Sequence, residues 1–189
     1  FKGVTSSGKT EIYISLIKKY LKNSNQILFL VPEIALTTQL VTRLSKFFPK
    51  NLIVYHSGLN INQRVELWNE LISTNKSKII IGARSSIFLP FSNLKLIIVD
   101  EEHEVSYKQF DPSPRYNARD ASIILSNIHG ANVLLGTATP SIESYLNAKI
   151  AEKFAYVELN QRYKNIPMPA IQLVDMLKKS NNRKKYGLF

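Results

Sequence analysis

The apolar positions of the chain fall into two alternating periods. Five short runs are apolar almost without a break: 27–31 (ILFLV), 52–55 (LIVY), 79–82 (IIIG), 94–100 (LKLIIVD) and 133–136 (VLLG). They show no in–out alternation, and unbroken runs rich in β-branched residues suit strands buried on both faces of a parallel sheet. Between them the period changes to that of a helix. Tyr13, Leu16, Ile17 and Tyr20 recur at helical spacing, as do Leu36, Leu40, Leu44 and Phe47, and then Ile61, Val65, Trp68 and Ile72. Asn60 stands where the third helix needs an N-cap, and Trp68 lies on that helix's apolar stripe, which predicts a core position. Residues 118–128 and 141–150 read as two further helices. Strand alternating with helix over about 150 residues predicts an α/β fold, a mostly parallel sheet with helices on both faces.

From about Leu159 the pattern decays into a stretch with two prolines, one predicted short strand (171–174) and a basic end. The expected organisation is one domain over 1–158, followed over 159–189 by a basic stretch that is a linker or the start of a second lobe, with disorder an open alternative. With 25 basic and 14 acidic residues the formal charge is +11, which favours a polyanionic partner, nucleic acid before membrane. The chain has no cysteine, so disulfides and thiolate metal sites are excluded. No apolar run reaches the length of a membrane span.

One motif brings chemistry. Gly3, Val4, Thr5, Ser6, Ser7, Gly8, Lys9 and Thr10 match G-x-x-x-x-G-K-[ST]. Glycines let a backbone wrap a phosphate with its N–H groups turned inward, and the following helix adds the positive end of its dipole. In such a cradle Lys9 reaches the β- and γ-phosphates of ATP and the Thr10 hydroxyl ligates Mg²⁺. Only Phe1 and Lys2 precede Gly3, so the strand that feeds the cradle is expected to be largely missing and the chain to be a piece of a longer one.

A cradle of this kind needs a second metal ligand, and LIIVDEEH (96–103) ends a buried run in acids at the carboxyl edge of the sheet. Asp100 is the candidate Mg²⁺ ligand. Glu101 is the candidate base that orients and deprotonates the attacking water.

GKT at 8–10, DEEH at 100–103 and GTATPS at 136–141 resemble motifs I, II and III of superfamily 2 helicases. VPEIALTTQ (31–39), YHSGL (55–59), IGARSSIFLPF (81–91), DEEHEVSYKQ (100–109), RYNARD (115–120) and LVDM (173–176) together resemble the PriA family of bacterial primosomal replication-restart helicases. The resemblance implies the first RecA-like P-loop lobe of an ATP-dependent 3′-to-5′ DNA helicase of the cytoplasm, monomeric and working at replication forks. It implies single-stranded and forked DNA as partners, together with other primosome proteins and single-strand-binding proteins, and no membrane. Zinc is expected only in the part of such a protein that lies outside this chain. So is the arginine finger, which leaves the isolated lobe nearly inactive.

By position, Arg84 and Ser85 are expected on the single-strand track, and His103, Thr137 and Thr139 in the coupling between nucleotide and DNA. The loop from Ser106 to Arg115 answers to the family's aromatic-rich loop. There Tyr107, Phe110 and Tyr116 are candidates to stack on bases or on neighbouring protein, with Lys108 and Arg115 near phosphates. Two positions depart from the family pattern. Ser6 replaces a common glycine, which predicts a stiffer loop, and Asn117 replaces a common histidine, which leaves that position's role open. Two other readings fit the same residues: the lobe of another superfamily 2 translocase or repair helicase, and a non-catalytic nucleic-acid-binding module with a relict cradle.

Overall fold

The computed structural model describes residues 1–32, 39–56, 58–73 and 76–167. Most of the 31–39 motif, Leu36, Ser57 and the whole stretch from 168, with its predicted short strand, LVDM motif and basic end, lie outside the described residues. In chain order the elements are β1 (Lys2–Gly3), α1 (Lys9–Tyr20), β2 (Gln26–Leu30), α2 (Gln39–Phe47), β3 (Leu52–Tyr55), α3 (Ile61–Ser73) and β4 (Lys78–Gly82). After them come β5 (Leu94–Asp100), α4 (Ala118–His129), β6 (Asn132–Gly136), α5 (Ile142–Lys149) and β7 (Glu158–Leu159). Short 3-10 turns occupy Arg84–Phe88, Val105–Tyr107 and Tyr163–Asn165.

The main sheet is parallel throughout, in the order β3-β4-β2-β5-β6. All five of its strands among the described residues were legible as apolar runs, because layers cover both faces. One core gathers Leu28, Leu30, Ile80, Ile97 and Val99 beneath Leu67 and Leu71 of α3 and Ala118 of α4. The other gathers Ile27, Phe29, Ile79, Ile81 and Ile98 beneath Tyr13, Ile14 and Ile17 of α1 and Leu44 of α2. Odd and even positions of β2 therefore enter different cores, and every residue of that strand is buried. This is the mostly parallel α/β sheet expected, with helices on both faces.

The Asn60 cap is present as a reciprocal box: Gln63 N donates to Asn60 Oδ1 at 2.9 Å and Asn60 N donates to Gln63 Oε1 at 3.0 Å. The expected face of α3 is overturned. Ile61, Val65, Trp68 and Ile72 are exposed, Trp68 at 47%, and Leu67 and Leu71 face the sheet instead. Two apolar stripes share this helix, and periodicity marks a stripe without saying which one the sheet covers. Among the described residues no helix is long and apolar enough to cross a membrane.

β1 pairs in parallel with β7 and lies beside β6 through the bridge from Lys2 to Thr137. The segment past 158 therefore stays against the start of the chain, at the carboxyl edge where the phosphate motif and the acids meet.

Candidate nucleotide and nucleic-acid site

The loop over residues 4–8 turns between β1 and α1. Gly8 caps the helix at φ 89°, a left-handed conformation that glycine takes without cost, and among the described residues no side chain caps the helix N-terminus. A helix start without a side-chain cap suits an outside acceptor. Ser6 also sits at positive φ, 63°, which accounts for glycine being common there and strains the serine by about 1–2 kcal/mol. Gly3 is required by close approach: a Cβ there would meet Lys9 Cγ and Ser7 Oγ, each at 2.8 Å. The loop is held from behind, because Val4 N donates to Leu159 O at 3.1 Å, Tyr163 N to Ser6 O at 2.9 Å and Arg162 Nε to Thr5 O at 3.2 Å.

Across from the loop, β5 ends at Asp100, in register with Gly136 of β6. Two buried tyrosines fix this residue: Tyr13 Oη donates to Asp100 Oδ1 at 2.8 Å, and Tyr107 Oη to the Asp100 carbonyl at 2.6 Å. Burial holds the Asp100 carboxyl above the usual carboxylate range, and the Tyr13 hydrogen bond only partly opposes this. Burial likewise pushes both tyrosine hydroxyls up, so they stay protonated donors.

Lys9 Nζ reaches Glu101 Oε1 at 3.0 Å and the Gly3 carbonyl at 3.3 Å, joining residues 92 apart in sequence. Thr137 Oγ1 donates to Glu101 Oε2 at 3.3 Å, and Thr139 N donates to Thr137 Oγ1 at 3.1 Å. His103 bridges the two threonines, with Nδ1 at 2.7 Å from Thr137 Oγ1 and Nε2 at 3.4 Å from Thr139 Oγ1. If the Thr137 proton is given to Glu101, the His103 Nδ1 must carry a hydrogen and donate it. Lys9, Glu101, His103, Thr137 and Thr139 thus form one connected cluster, beside the Asp100 that precedes Glu101.

The residues expected to face nucleic acid divide. Ser85, Phe110 and Arg115 are exposed. Tyr107 is not: it is 1% exposed, its ring lies in the core and its hydroxyl is committed to Asp100, so the expectation that it stacks on bases is corrected. The Arg84 guanidinium donates to the carbonyls of Ser106 and Lys108, both at 3.4 Å, and Lys108 Nζ donates to Arg115 O at 2.9 Å. Tyr116 packs edge-on against Phe88 with centroids 4.8 Å apart. These three brace the loop in this structure. Asn117 acquires a role, as the N-cap of α4 accepting from Arg119 N at 3.0 Å.

Sequence reasoning missed Tyr13, Glu102, Arg119 and Ser141. Tyr13 entered the sequence analysis only as one position of its helix's apolar stripe, and its ring is indeed buried. The available signal was its hydroxyl, since a buried tyrosine oxygen needs a partner.

The fit of a nucleotide and Mg²⁺ rests on the donor set. Ser7 Oγ is buried without a hydrogen-bond partner among the described residues, beside the uncapped helix start. Thr10 and Asp100 offer hard oxygens, and among the described residues no group of three His, Asp or Glu builds an all-protein metal site. A sparse oxygen set suits Mg²⁺, which keeps waters and takes phosphate oxygens as its remaining ligands.

A profile of the DEAD/DEAH box helicase family matches residues 1–148. The chain belongs to the DEAD/DEAH box helicase family. Family membership implies nucleotide binding, in agreement with the loop. The replication restart protein PriA of Rickettsia felis is 44% identical over 185 residues, covering 98% of this chain and 28% of that protein. PriA of Bacillus subtilis is 43% identical over 180 residues, covering 95% and 22%. PriA of Haemophilus influenzae is 48% identical over 163 residues, covering 86% and 22%. The chain thus spans roughly a quarter of the length of the curated relatives it matches. A solved structure of RecG bound to a three-way DNA junction shares the fold, with a TM-score of 0.56 at 21% identity, over 80% of this chain and 19% of that one.

Proposed function

We propose that this chain is the ATP-binding lobe of an ATP-dependent 3′-to-5′ DNA helicase that acts in primosome assembly and replication restart. One observation carries the reading: Lys9 of the phosphate loop and Glu101 of the acidic edge meet at 3.0 Å. That contact brings a phosphate-binding cation and a candidate base to one point. Lys9 then exchanges its carboxylate partner for the β- and γ-phosphates of ATP, which releases Glu101 to orient and deprotonate the attacking water. Thr10 and Asp100 would hold Mg²⁺, which when bound would neutralise charge on the transferring phosphate. Tyr13 holds the Asp100 carboxylate and Tyr107 its carbonyl. His103, Thr137 and Thr139 lie where a change at Glu101 passes to the β6–α5 connection. The polarity of translocation, forked and single-stranded DNA as substrates, primosome and single-strand-binding partners, and a place at bacterial replication forks rest on the likeness to PriA. Of the candidate DNA contacts Ser85, Phe110 and Arg115 are exposed, and Arg84 joins them on exchanging loop carbonyls for a phosphate.

In the full-length protein, Lys9→Ala is expected to abolish DNA unwinding while DNA binding persists. The check is a strand-separation assay on a forked substrate beside a binding titration. Retained unwinding would sink the assignment of the site.

A further inference from the structure

Four successive carbonyls of the phosphate loop are held by donors, and the donors come from two places. Gly3 O accepts from Lys9 Nζ at 3.3 Å and Val4 O from Ser7 N at 3.0 Å, both within the loop and its helix. Thr5 O accepts from Arg162 Nε at 3.2 Å, 157 residues away in sequence, and Ser6 O from Tyr163 N at 2.9 Å. The second half of the run therefore depends on the strap formed by residues 158–167, which takes no part in the phosphate chemistry above. The strap is itself anchored. β7 pairs with β1, Lys2 Nζ meets Glu158 Oε1 at 2.7 Å, and Arg162 Nη1 donates to Pro167 O at 3.0 Å. Arg162 suits this place because its planar fork of donors serves two carbonyls at once.

The need for an outside grip follows from Ser6. Its φ of 63° lies in the left-handed region, which glycine enters freely and serine avoids. Left to itself, the chain relaxes such a serine toward negative φ and turns the peptide planes on either side of it. A trans peptide sets its C=O and N–H on opposite sides. Holding Thr5 O thus fixes where the Ser6 N–H points, and holding Ser6 O fixes the Ser7 N–H that closes the turn onto Val4. Ser7 Oγ, buried without a hydrogen-bond partner among the described residues, rides on the same turn. The strap holds in place what the residue at position 6 works against.

We infer that Arg162 is a positioning residue for nucleotide binding: together with Tyr163 N it holds the phosphate loop in the left-handed turn at Ser6, so that the strap sets the loop's affinity for the phosphates of ATP. The inference rests on the reading of the loop as an ATP cradle. Arg162→Met keeps the stem of the side chain and removes every donor. In the full-length protein it is expected to weaken Mg²⁺-dependent binding of a fluorescent ATP analogue by about tenfold, the order of one hydrogen bond from a charged donor. The KM for ATP should rise with kcat kept, the signature of binding lost equally from ground and transition states. Ser6→Gly is the decisive second substitution. Glycine takes the turn unaided, so Ser6→Gly alone should change affinity little, and added to Arg162→Met it should recover most of the loss. A merely structural strap would lower thermal stability and give the same loss of affinity in both backgrounds. Parent affinity in folded Arg162→Met, or equal losses in the parent and Ser6→Gly backgrounds, overturns the proposal. Arg162→Ala is measured in its place should Arg162→Met not fold. Lys9→Ala is titrated alongside. If it binds the analogue as the parent does, the reading of the loop falls and this inference with it; if it loses binding while Arg162→Met keeps parent affinity, the strap alone falls.

Discussion

Glu101→Gln in the full-length protein is expected to lower ATP hydrolysis by about 10²- to 10⁴-fold, the usual contribution of a positioned general base. The amide preserves size and can still accept from Thr137, whose hydroxyl lies 3.3 Å from Oε2, but it cannot take a proton from water. Nucleotide binding should survive, since the loop and Lys9 are untouched. It should even strengthen, because the variant no longer offers Lys9 the carboxylate that holds it at 3.0 Å. Steady-state hydrolysis and equilibrium nucleotide binding, measured on the same preparation, check both halves. Loss of binding together with hydrolysis would mean that Glu101 holds the loop together and is not its base.

The second large effect is expected at Gly136. A Cβ there would fall 2.0 Å from Tyr13 Oη and 3.0 Å from Tyr13 Cζ, and Tyr13 is fully buried. Gly136→Ala must push the ring off β6 and break its hydrogen bond to Asp100. Overpacking of this kind costs about 1–3 kcal/mol, and a buried hydroxyl left unsatisfied adds about as much. For a domain of this size each kcal/mol is roughly 2–4 °C in Tm. Thermal unfolding of Gly136→Ala should therefore show a fall of several times that shift, and adding Tyr13→Phe should recover part of it by removing the oxygen that clashes. In the parent background Tyr13→Phe should instead cost stability. A Gly136→Ala protein with the parent Tm would contradict this account of how Asp100 is held.

The sheet was readable because each strand is apolar on both faces, a signal that needs no knowledge of neighbours. The glycine-rich loop and the acidic end of β5 drew notice because residue type and spacing mark them, and the fold then brought Lys9 and Glu101 to 3.0 Å. What escaped depended on partners distant in sequence. α3 carries two apolar stripes, and only the sheet decides that Leu67 and Leu71 go in while Trp68 stays out. Tyr107 looked like one more aromatic of a solvent loop, until the 3-10 turn at Val105–Tyr107 drew its ring beneath Asp100. Glu102 was one acid among three, and its contacts emerge only when Ser141, Ser144 and Arg119 arrive from other elements. Asn117 became intelligible for the same reason, once α4 was seen to start at the next residue.

The account rests on the loop at Gly3–Thr10 holding ATP with Mg²⁺. The most direct measurement is a titration of the 189-residue chain with a fluorescent ATP analogue, with and without Mg²⁺, in parent and Lys9→Ala forms. Saturable binding that requires Mg²⁺ and disappears in Lys9→Ala is the predicted result. Absence of Mg²⁺-dependent binding, in a chain that still binds single-stranded DNA, would contradict it and leave a nucleic-acid-binding module with a relict cradle.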